Sequence, residues 1–224
     1  MSSQKKAAPM RTKESAAVEK HSYHHGDLRQ ALLNAAEAVL LEKGVDGLTL
    51  RECARRAGVS HGAPAHHFGD VRGLLAELTA IGYEQLDERM RAERLAASPA
   101  PIEQLIATGL AYVDFAIAQP ARFRLMFMNE RLLPTPRLLA AGGRTYTHLR
   151  ECVERIDADE GGDGSLLNEK ITLAWTLVHG FANLLLDSQG FTHLVPPGKA
   201  GVRNFLDRVL HLSSPGYRAR TLPE

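Results

Sequence analysis

Residues 49–68 constrain the fold more than any other part of the chain. They read TLRECARRAGVSHGAPAHHF. Thr49 can cap a first helix, with Glu52 at the spacing of a capping box. Gly58 stands where that helix must end, because glycine adopts the left-handed conformation without steric cost. Ser60 then serves as a second N-cap and opens a short helix. Two short helices joined by a tight glycine turn predict a helix-turn-helix, a motif that reads DNA.

Amphipathic helices flank this motif on both sides. Apolar residues at helical spacing across residues 27–43 predict a helix that ends at Gly44. After a possible N-cap at Asp70, the same spacing resumes and continues to about Leu95. A small helical hairpin with no role in DNA binding is the alternative interpretation, and the flanking helices weigh against it.

Two segments of the sequence resemble one known family. From Gly44 to Ser60 the chain follows the pattern G-x-x-x-x-T-x-R-E-x-A-x-x-A-G-V-S, and a short helix then closes on His67-Phe68. Over residues 23–86 this resembles the N-terminal domain of tetracycline-repressor (TetR) type regulators. Residues 111–127 and 175–180, the latter reading WTLVHG, resemble the C-terminal domain of a subgroup named for its Trp-x-x-x-His-Gly element.

The resemblance implies an all-α protein with two domains. A three-helix helix-turn-helix domain would occupy residues 23–86, and a helical ligand-binding and dimerisation domain residues 87–213, with a tail at 214–224. The implied partners are a palindromic double-stranded DNA operator, a small-molecule effector, and a second copy bound through the last two helices. The family is mostly repressive, so we expect a repressor.

The expected reading helix combines hydrogen-bonding side chains with small ones. Histidine can donate to guanine O6 or N7, and small apolar residues can touch a thymine methyl. We expect His61 and His66 to face DNA, whereas His67 and Phe68 pack inward or brace the domain. Phosphate contacts would fall to the Thr49 cap and to basic side chains. The predicted DNA-binding residues are Thr49, Arg51, Ser60, His61, Gly62, Ala63, Pro64, His66, His67 and Arg72.

Two positions depart from the family pattern. Ala65 stands where an aromatic residue is usual, and Val71 where a lysine is usual; both positions ordinarily touch the DNA backbone. Arg72 lies one residue further on and could substitute, although one residue turns a side chain by about 100° around a helix. A dimeric small-molecule-binding protein with weak or lost DNA binding is therefore the alternative function.

Aromatic and methionine residues in the second half could line an adaptable apolar pocket for the effector. The alternative is that they are ordinary core, which is the usual role of such residues at helical spacing. His179, followed by Gly180, could instead bond a neighbouring helix. The predicted pocket residues are Tyr112, Phe115, Phe123, Met126, Phe127, Met128, Tyr146, Trp175 and His179.

Charge adds modest support for a nucleic-acid partner. Net charge is +1, but residues 1–75 hold eleven Lys or Arg against eight Asp or Glu, a difference of +3. Residues 1–22 carry five of these basic residues without periodicity, which predicts a flexible arm. Such an arm could follow the minor groove, or it could be a solvated tail without a role.

Other protein classes find little support. Cys53 and Cys152 lie in amphipathic segments, as reduced cysteines of a cytoplasmic protein would, and no apolar run approaches the ~18 residues of a membrane span. A metal protein or enzyme would rest on His21-x-x-His24-His25 or on His66-His67, without Cys or acidic partners at zinc-type spacing. We expect no metal, no cofactor and no catalysis.

Overall fold

The computed structural model describes residues 24–187 and 191–218, and this part of the chain is all α-helix with two short 3-10 turns. The basic segment 1–22, predicted to be a flexible arm, lies outside the described residues. The helices are α1 (His24–Lys43), α2 (Leu50–Ala57), α3 (Ala63–Phe68), α4 (Val71–Ala96), α5 (Pro101–Ala118), α6 (Pro120–Met126), α7 (Pro136–Asp159), α8 (Leu167–Asp187) and α9 (Gly198–Arg218).

Helices α1 to α3 pack with the start of α4 around a common apolar core. The stripe predicted on α1 is buried, and it meets the first two turns of α4 through Leu74, Leu75 and Leu78. Leu125 of α6 and Leu138 of α7 belong to the same core. Because these two residues come from the second half of the chain, the N-terminal domain is anchored directly on the C-terminal one.

Helix α4 runs unbroken through both halves of the molecule. Asp70 caps it by accepting a hydrogen bond from the Gly73 backbone N–H at 3.0 Å. The predicted apolar stripe is buried from Leu74 to Met90, whereas Leu95 near the end of the helix is 78% exposed. Leu86 and Met90 enter the main core of the C-terminal domain with residues of α5, α6, α8 and α9. A single helix therefore connects the helix-turn-helix to that core.

Proline residues set several helix boundaries. Pro101 and Pro120 begin α5 and α6, and Pro136 begins α7 behind the cap Thr135, as expected for a residue whose missing N–H has no partner in the first turn. Helix α6 is short and ends at Met126, with Phe127 as its C-cap. Helix α9 continues to Arg218 and buries Tyr217, so the tail expected from residue 214 lies partly within that helix.

None of the helices in the described ranges combines the length and apolar character of a membrane span.

Candidate functional site

Helix α2 is held at both ends by the predicted signals. Thr49 Oγ1 accepts from the Glu52 N–H at 3.2 Å, and Gly58 ends the helix in the left-handed region at φ 67° and ψ 32°. The Glu52 carboxylate is engaged by Lys43, Arg55 and Arg56 instead of returning a bond to Thr49. These hydrogen bonds lower the pKa of Glu52 far below its usual range.

Helix α3 begins two residues later than the sequence predicted. Its N-cap is Gly62, not Ser60, and the first helical bond runs from His66 N–H to the Gly62 carbonyl at 3.2 Å. With Ser60 as the cap, the first helical donor would be the N–H of Pro64, which proline lacks. The proline therefore excludes the earlier start, and Ser60 and His61 lie in the turn that leads into α3.

The turn and α3 present a polar edge to solvent. Ser60, His61, Gly62 and His66 are exposed, whereas Ala63 is half-buried. On the opposite side Pro64 and Phe68 are buried, so Pro64 is a packing residue and cannot approach a groove floor as the sequence suggested.

His67 is half-buried, and its ring lies between those of His66 and Phe68. Its ring is 5.7 Å from that of His66 and 6.1 Å from that of Phe68, centroid to centroid. The Arg29 guanidinium of α1 lies 5.5 Å from the Phe68 ring centroid. His67 thus braces the end of α3, as expected for a residue between the exposed and the buried side.

Close backbone contact fixes α3 on α4. A Cβ built on Gly73 would lie 2.0 Å from the Phe68 carbonyl oxygen, so only glycine allows this approach. The neighbouring Arg72, predicted to contact phosphate, is exposed but donates to the Leu132 carbonyl at 3.2 Å. Thr49 and Arg51 are both exposed on the α2 side of the same surface.

Ion pairs link the two domains. Arg137 of α7 donates to Glu77 and Glu84 of α4, both at 2.7 Å, and Glu77 also pairs with Arg29 of α1. Sequence reasoning did not identify this network, because the partners are separated by 48 to 60 residues.

A cavity of about 130 Å³ lies inside the C-terminal domain. Residues of α4, α5, α7, α8 and α9 line it, together with Phe127 after α6. All of its described lining residues are uncharged, and aromatic rings form much of the wall. The aromatic lining residues are Tyr83, Tyr112, Phe127, Tyr146, Trp175 and Tyr217.

The predicted pocket residues divide into lining and core. Four of them line the cavity: Tyr112, Phe127, Tyr146 and Trp175. The other five have different surroundings. Phe115, Phe123 and Met126 are buried in the main core, Met128 lies in a groove beside α1, and His179 lines an outer groove between α7 and α8.

Tyr112 and His179 join the cavity to that outer groove. The Tyr112 hydroxyl lies 2.8 Å from His179 Nδ1. Burial raises the pKa of Tyr112 and lowers the pKa of His179, so both groups are neutral near pH 7 and the phenol donates to the imidazole. The predicted bond from His179 to a neighbouring helix is thus present, since Tyr112 belongs to α5. The His179 ring also packs 4.4 Å from that of Phe127.

A second buried histidine lies behind the cavity. His148 of α7 is fully buried, with Nδ1 3.6 Å from Asp87 Oδ1 of α4. Burial lowers its pKa to about 4, so the imidazole is neutral near pH 7. The Asp87 carboxylate accepts from Arg91 Nε at 2.9 Å. This polar cluster packs α7 against α4, and it was missed because the sequence around His148 carries no motif.

Sequence reasoning also missed much of the cavity wall. Tyr83 lies on the outer part of the α4 stripe, and its hydroxyl donates to the Met126 carbonyl at 3.1 Å. Gly142 opens space on α7, where a built Cβ would lie 3.8 Å from the Tyr83 ring. Tyr217 falls in the segment assigned to the tail. The only available signal was the continued helical spacing of α9 past residue 213.

Of the histidines on which the alternative metal-protein class would rest, His21 and the side chains of His24 and His25 lie outside the described residues. Elsewhere in the described ranges, no three His, Cys, Asp or Glu side chains are grouped as metal ligands. Cys53 and Cys152 are buried free thiols.

Comparison with known proteins identifies both halves of this architecture. Residues 32–78 match the family of bacterial regulatory proteins of the tetR type, and residues 105–209 match the tetracyclin repressor-like C-terminal domain. The assignment to the Trp-x-x-x-His-Gly subgroup stays a prediction.

Individual relatives agree with these matches. The HTH-type transcriptional regulator BetI of Serratia proteamaculans is 33% identical over 123 residues, covering 47% of this chain and 62% of that protein. BetI of Burkholderia mallei is 33% identical over 129 residues, covering 56% and 66%. The chain thus spans a little under two thirds of the length of these curated relatives.

Solved structures share the fold over nearly the whole chain. A Rhodococcus sp. RHA1 protein of unknown function superposes with a TM-score of 0.71 and 30% identity, covering 89% of this chain and 97% of that one. The regulator PfmR of Thermus thermophilus superposes at 0.61 with 18% identity, covering 88% and 97%. The fold and its surface define a two-domain, all-helical helix-turn-helix protein. This chain belongs to the TetR family.

Proposed function

We propose that this protein is a homodimeric transcription regulator, a repressor, that binds a palindromic operator and is released from it by a small molecule. The observation that carries the proposal is the exposed polar edge formed by α3 and the turn before it. His61 and His66 are exposed on this edge, while buried Pro64 and Phe68 fix the helix from behind. A side chain held in this way can read a base edge at little entropic cost.

Exposure and bonding suggest a division of the DNA contacts. His61 and His66 would donate to base acceptors, and Gly62, Ala63 and Ala65 would allow close approach to the groove floor. Thr49 and Arg51 would contact phosphate, which fixes the position of the domain without reading sequence. Arg72 is left out of this set, because its guanidinium already bonds the Leu132 carbonyl.

An incompletely covered apolar stripe supports the homodimer. On α8 it contains Leu173, Leu177 and Leu184 at spacings of four and seven residues, and the first and last are exposed by 37% and 49%. On α9, Phe205 and Val209 are half-buried. Leu206 and Leu210 of the same helix are not part of the stripe, because they are buried in the chain's own core. A second copy would cover the stripe by two-fold symmetry.

Dimerisation matters because two reading helices must match two half-sites. On B-DNA these lie about 34–36 Å apart, or a multiple of that distance, on one face. A ligand that changes the separation of the reading helices would release the operator without touching a base contact. The cavity is suited to this role since α4, which carries α3 on its first turn, forms part of its wall.

Selection from random duplex DNA by the purified protein tests the proposal, at two salt concentrations because phosphate contacts weaken with salt. We expect an enriched palindrome whose half-site spacing fits a two-fold dimer. A folded dimer that enriches nothing would overturn operator reading and favour the DNA-silent ligand-binding protein, with Ala65 and Val71 as the residues responsible. A protein that binds an operator must be located where the DNA is, so we also propose a cytoplasmic location. We propose no catalytic role.

A further inference from the structure

We propose that the internal cavity binds an uncharged, compact and largely apolar molecule of about the size of a monosubstituted benzene. The inference rests on the proposed function, since it names the chemical class of the effector.

Volume sets the size of the ligand. The cavity measures about 130 Å³, close to the ~150 Å³ of an apolar cavity that holds benzene. Deep in the cavity the wall is packed, since Leu86 and Ile106 are exposed by 4% or less. A larger molecule would have to displace these residues or extend outward past Tyr146 and Trp175, which are exposed by 45% and 44%.

The charge of the wall sets the charge of the ligand. Among the described lining residues there is no Asp, Glu, Lys or Arg, so an ion inside the cavity would lose its hydration without gaining a counter-charge. Two acids adjoin wall residues in sequence, Glu84 beside Tyr83 and Asp87 beside Leu86, and they pair with Arg137 and Arg91. Neither acid is a wall residue, so neither an anion nor a cation would find a counter-charge among the described lining residues.

Aromatic rings raise one competing possibility, a cation held by their π faces. Tyr83, Tyr112, Phe127 and Trp175 all contribute to the wall, and a cation could contact several of these π faces. A cation must also give up its hydration without gaining a carboxylate in the wall, whereas a neutral guest contacts the same rings by dispersion without that cost. We therefore expect a neutral guest, and the cationic probes below test this choice.

The polar atoms of the wall are mostly satisfied within the protein. Thr108 Oγ1 donates to the Gln104 carbonyl at 2.8 Å, and Thr145 Oγ1 donates to the Ala141 carbonyl at 3.2 Å. Tyr83 donates to the Met126 carbonyl, and its oxygen can still accept one hydrogen bond. One hydroxyl on the ligand is therefore tolerated, and a strongly polar ligand is not.

The test uses five probes of similar size: toluene, phenol, benzoate, benzylammonium and tetramethylammonium. Dissociation constants are measured by ligand-observed NMR titration of the full-length protein. We expect toluene and phenol to bind, with each charged probe at least about tenfold weaker, since an unpaired buried charge costs well over the 1.4 kcal/mol of a tenfold change. Tighter binding of benzoate or of either cation, or no binding of toluene, would overturn the ligand class.

Two neighbouring glycines on α7 provide a matched pair of variants. Gly142 lines the cavity, whereas a Cβ on Gly143 would meet open space. We expect Gly142→Leu to weaken toluene binding at least about tenfold by filling the cavity, and Gly143→Leu to leave it unchanged. Equal affinity in the two variants would place the binding elsewhere and overturn the proposal.

Ala174→Leu fills the same cavity from α8 and replaces Gly142→Leu if that variant does not fold. The proposed function is tested separately by DNA selection with the same preparation. An enriched palindrome without toluene binding would refute the ligand class and leave the regulator. Toluene binding without an enriched sequence would refute operator reading and leave the ligand class.

Discussion

Arg122 of α6 forms an ion pair with Glu37 of α1, a residue 85 positions earlier in the chain. The Arg122 side chain is only 6% exposed, and the guanidinium also donates to Gln85 of α4. Since Phe123, the next residue, packs with Phe127 and His179 at the edge of the cavity, one short helix contacts both the N-terminal domain and the cavity region.

Glu37→Gln should lower the free energy of unfolding by about 1–2 kcal/mol, because it leaves the buried Arg122 charge without its partner while Glu37 itself is partly solvated. Urea denaturation measures this change. The control is Glu42→Gln on the same helix, whose pairing with Arg56 is at the surface and should contribute little, because solvent screens it. Equal losses in both variants would contradict the buried role of Arg122.

His148 should make the protein less stable as the pH falls. Its pKa is about 4 in the folded protein and 6.5 in the unfolded chain, so the unfolded state binds more protons between these values. The contribution of neutral His148 to the free energy of unfolding is fully present above pH 6.5 and is lost as the pH falls toward 4. Between pH 7 and pH 5 the loss is about 2 kcal/mol. Urea denaturation at the two pH values should show a smaller loss in His148→Leu, and an equal loss would disprove the assignment.

Gly73→Ala should destabilise the protein by about 1–3 kcal/mol, because the added methyl group would collide with the Phe68 carbonyl at the contact between α3 and α4. Gly143→Ala is the control in open space, and there the gain in helix propensity should stabilise by up to about 1 kcal/mol. Thermal unfolding distinguishes the two signs. A stable Gly73→Ala protein would mean that α3 is free to move on α4.

His61→Ala should weaken binding to the selected operator by about 1–3 kcal/mol and leave nonspecific DNA binding nearly intact. The expectation follows from the exposed position of His61 before α3. Fluorescence anisotropy on operator and scrambled duplexes measures both affinities. A uniform loss on all sequences would assign His61 to the phosphates and not to a base.

Leu184→Glu should dissociate the proposed dimer, because it places a charge in the apolar stripe of α8. Leu139→Glu is a matched substitution, since Leu139 is even more exposed, at 63%, on α7 outside that stripe. Sedimentation velocity should give a monomer for the first variant and a dimer for the second. A dimer in both would move the interface away from α8.

Local signals in the sequence predicted the helix-turn-helix well, because caps and turns depend on neighbouring residues. Thr49 and Gly58 act as expected. The predicted start of α3 was wrong by two residues because two local preferences conflict there. Serine favours an N-cap at Ser60, but Pro64 lacks the N–H that a helix starting there would need. The sequence showed that Pro64 is small, but it did not show that Pro64 is buried.

The cavity could be predicted only in part. Tyr112 and Phe115 lie three residues apart on α5, and both fit its apolar helical spacing. Tyr112 lines the cavity, whereas Phe115 is fully buried in the core. Helical spacing reports which face turns inward, but not where the packed helices leave space. The ion pairs of Arg122 and Arg137 could not be predicted for a related reason. Their partners are distant in sequence, so the pairs depend on how the helices cross.

The continuity of α4 has a mechanical consequence. Its 26 residues span about 39 Å at 1.5 Å per residue. Tyr83, Leu86 and Met90 contact the cavity from the middle of the helix onward, and Gly73 contacts α3 in its first turn. Gly73 and Met90 are about 26 Å apart along the helix axis, so a tilt of about 5° about Met90 moves the end that carries α3 by roughly 2 Å. A guest no larger than one aromatic ring could thus shift two paired reading helices out of step with the DNA.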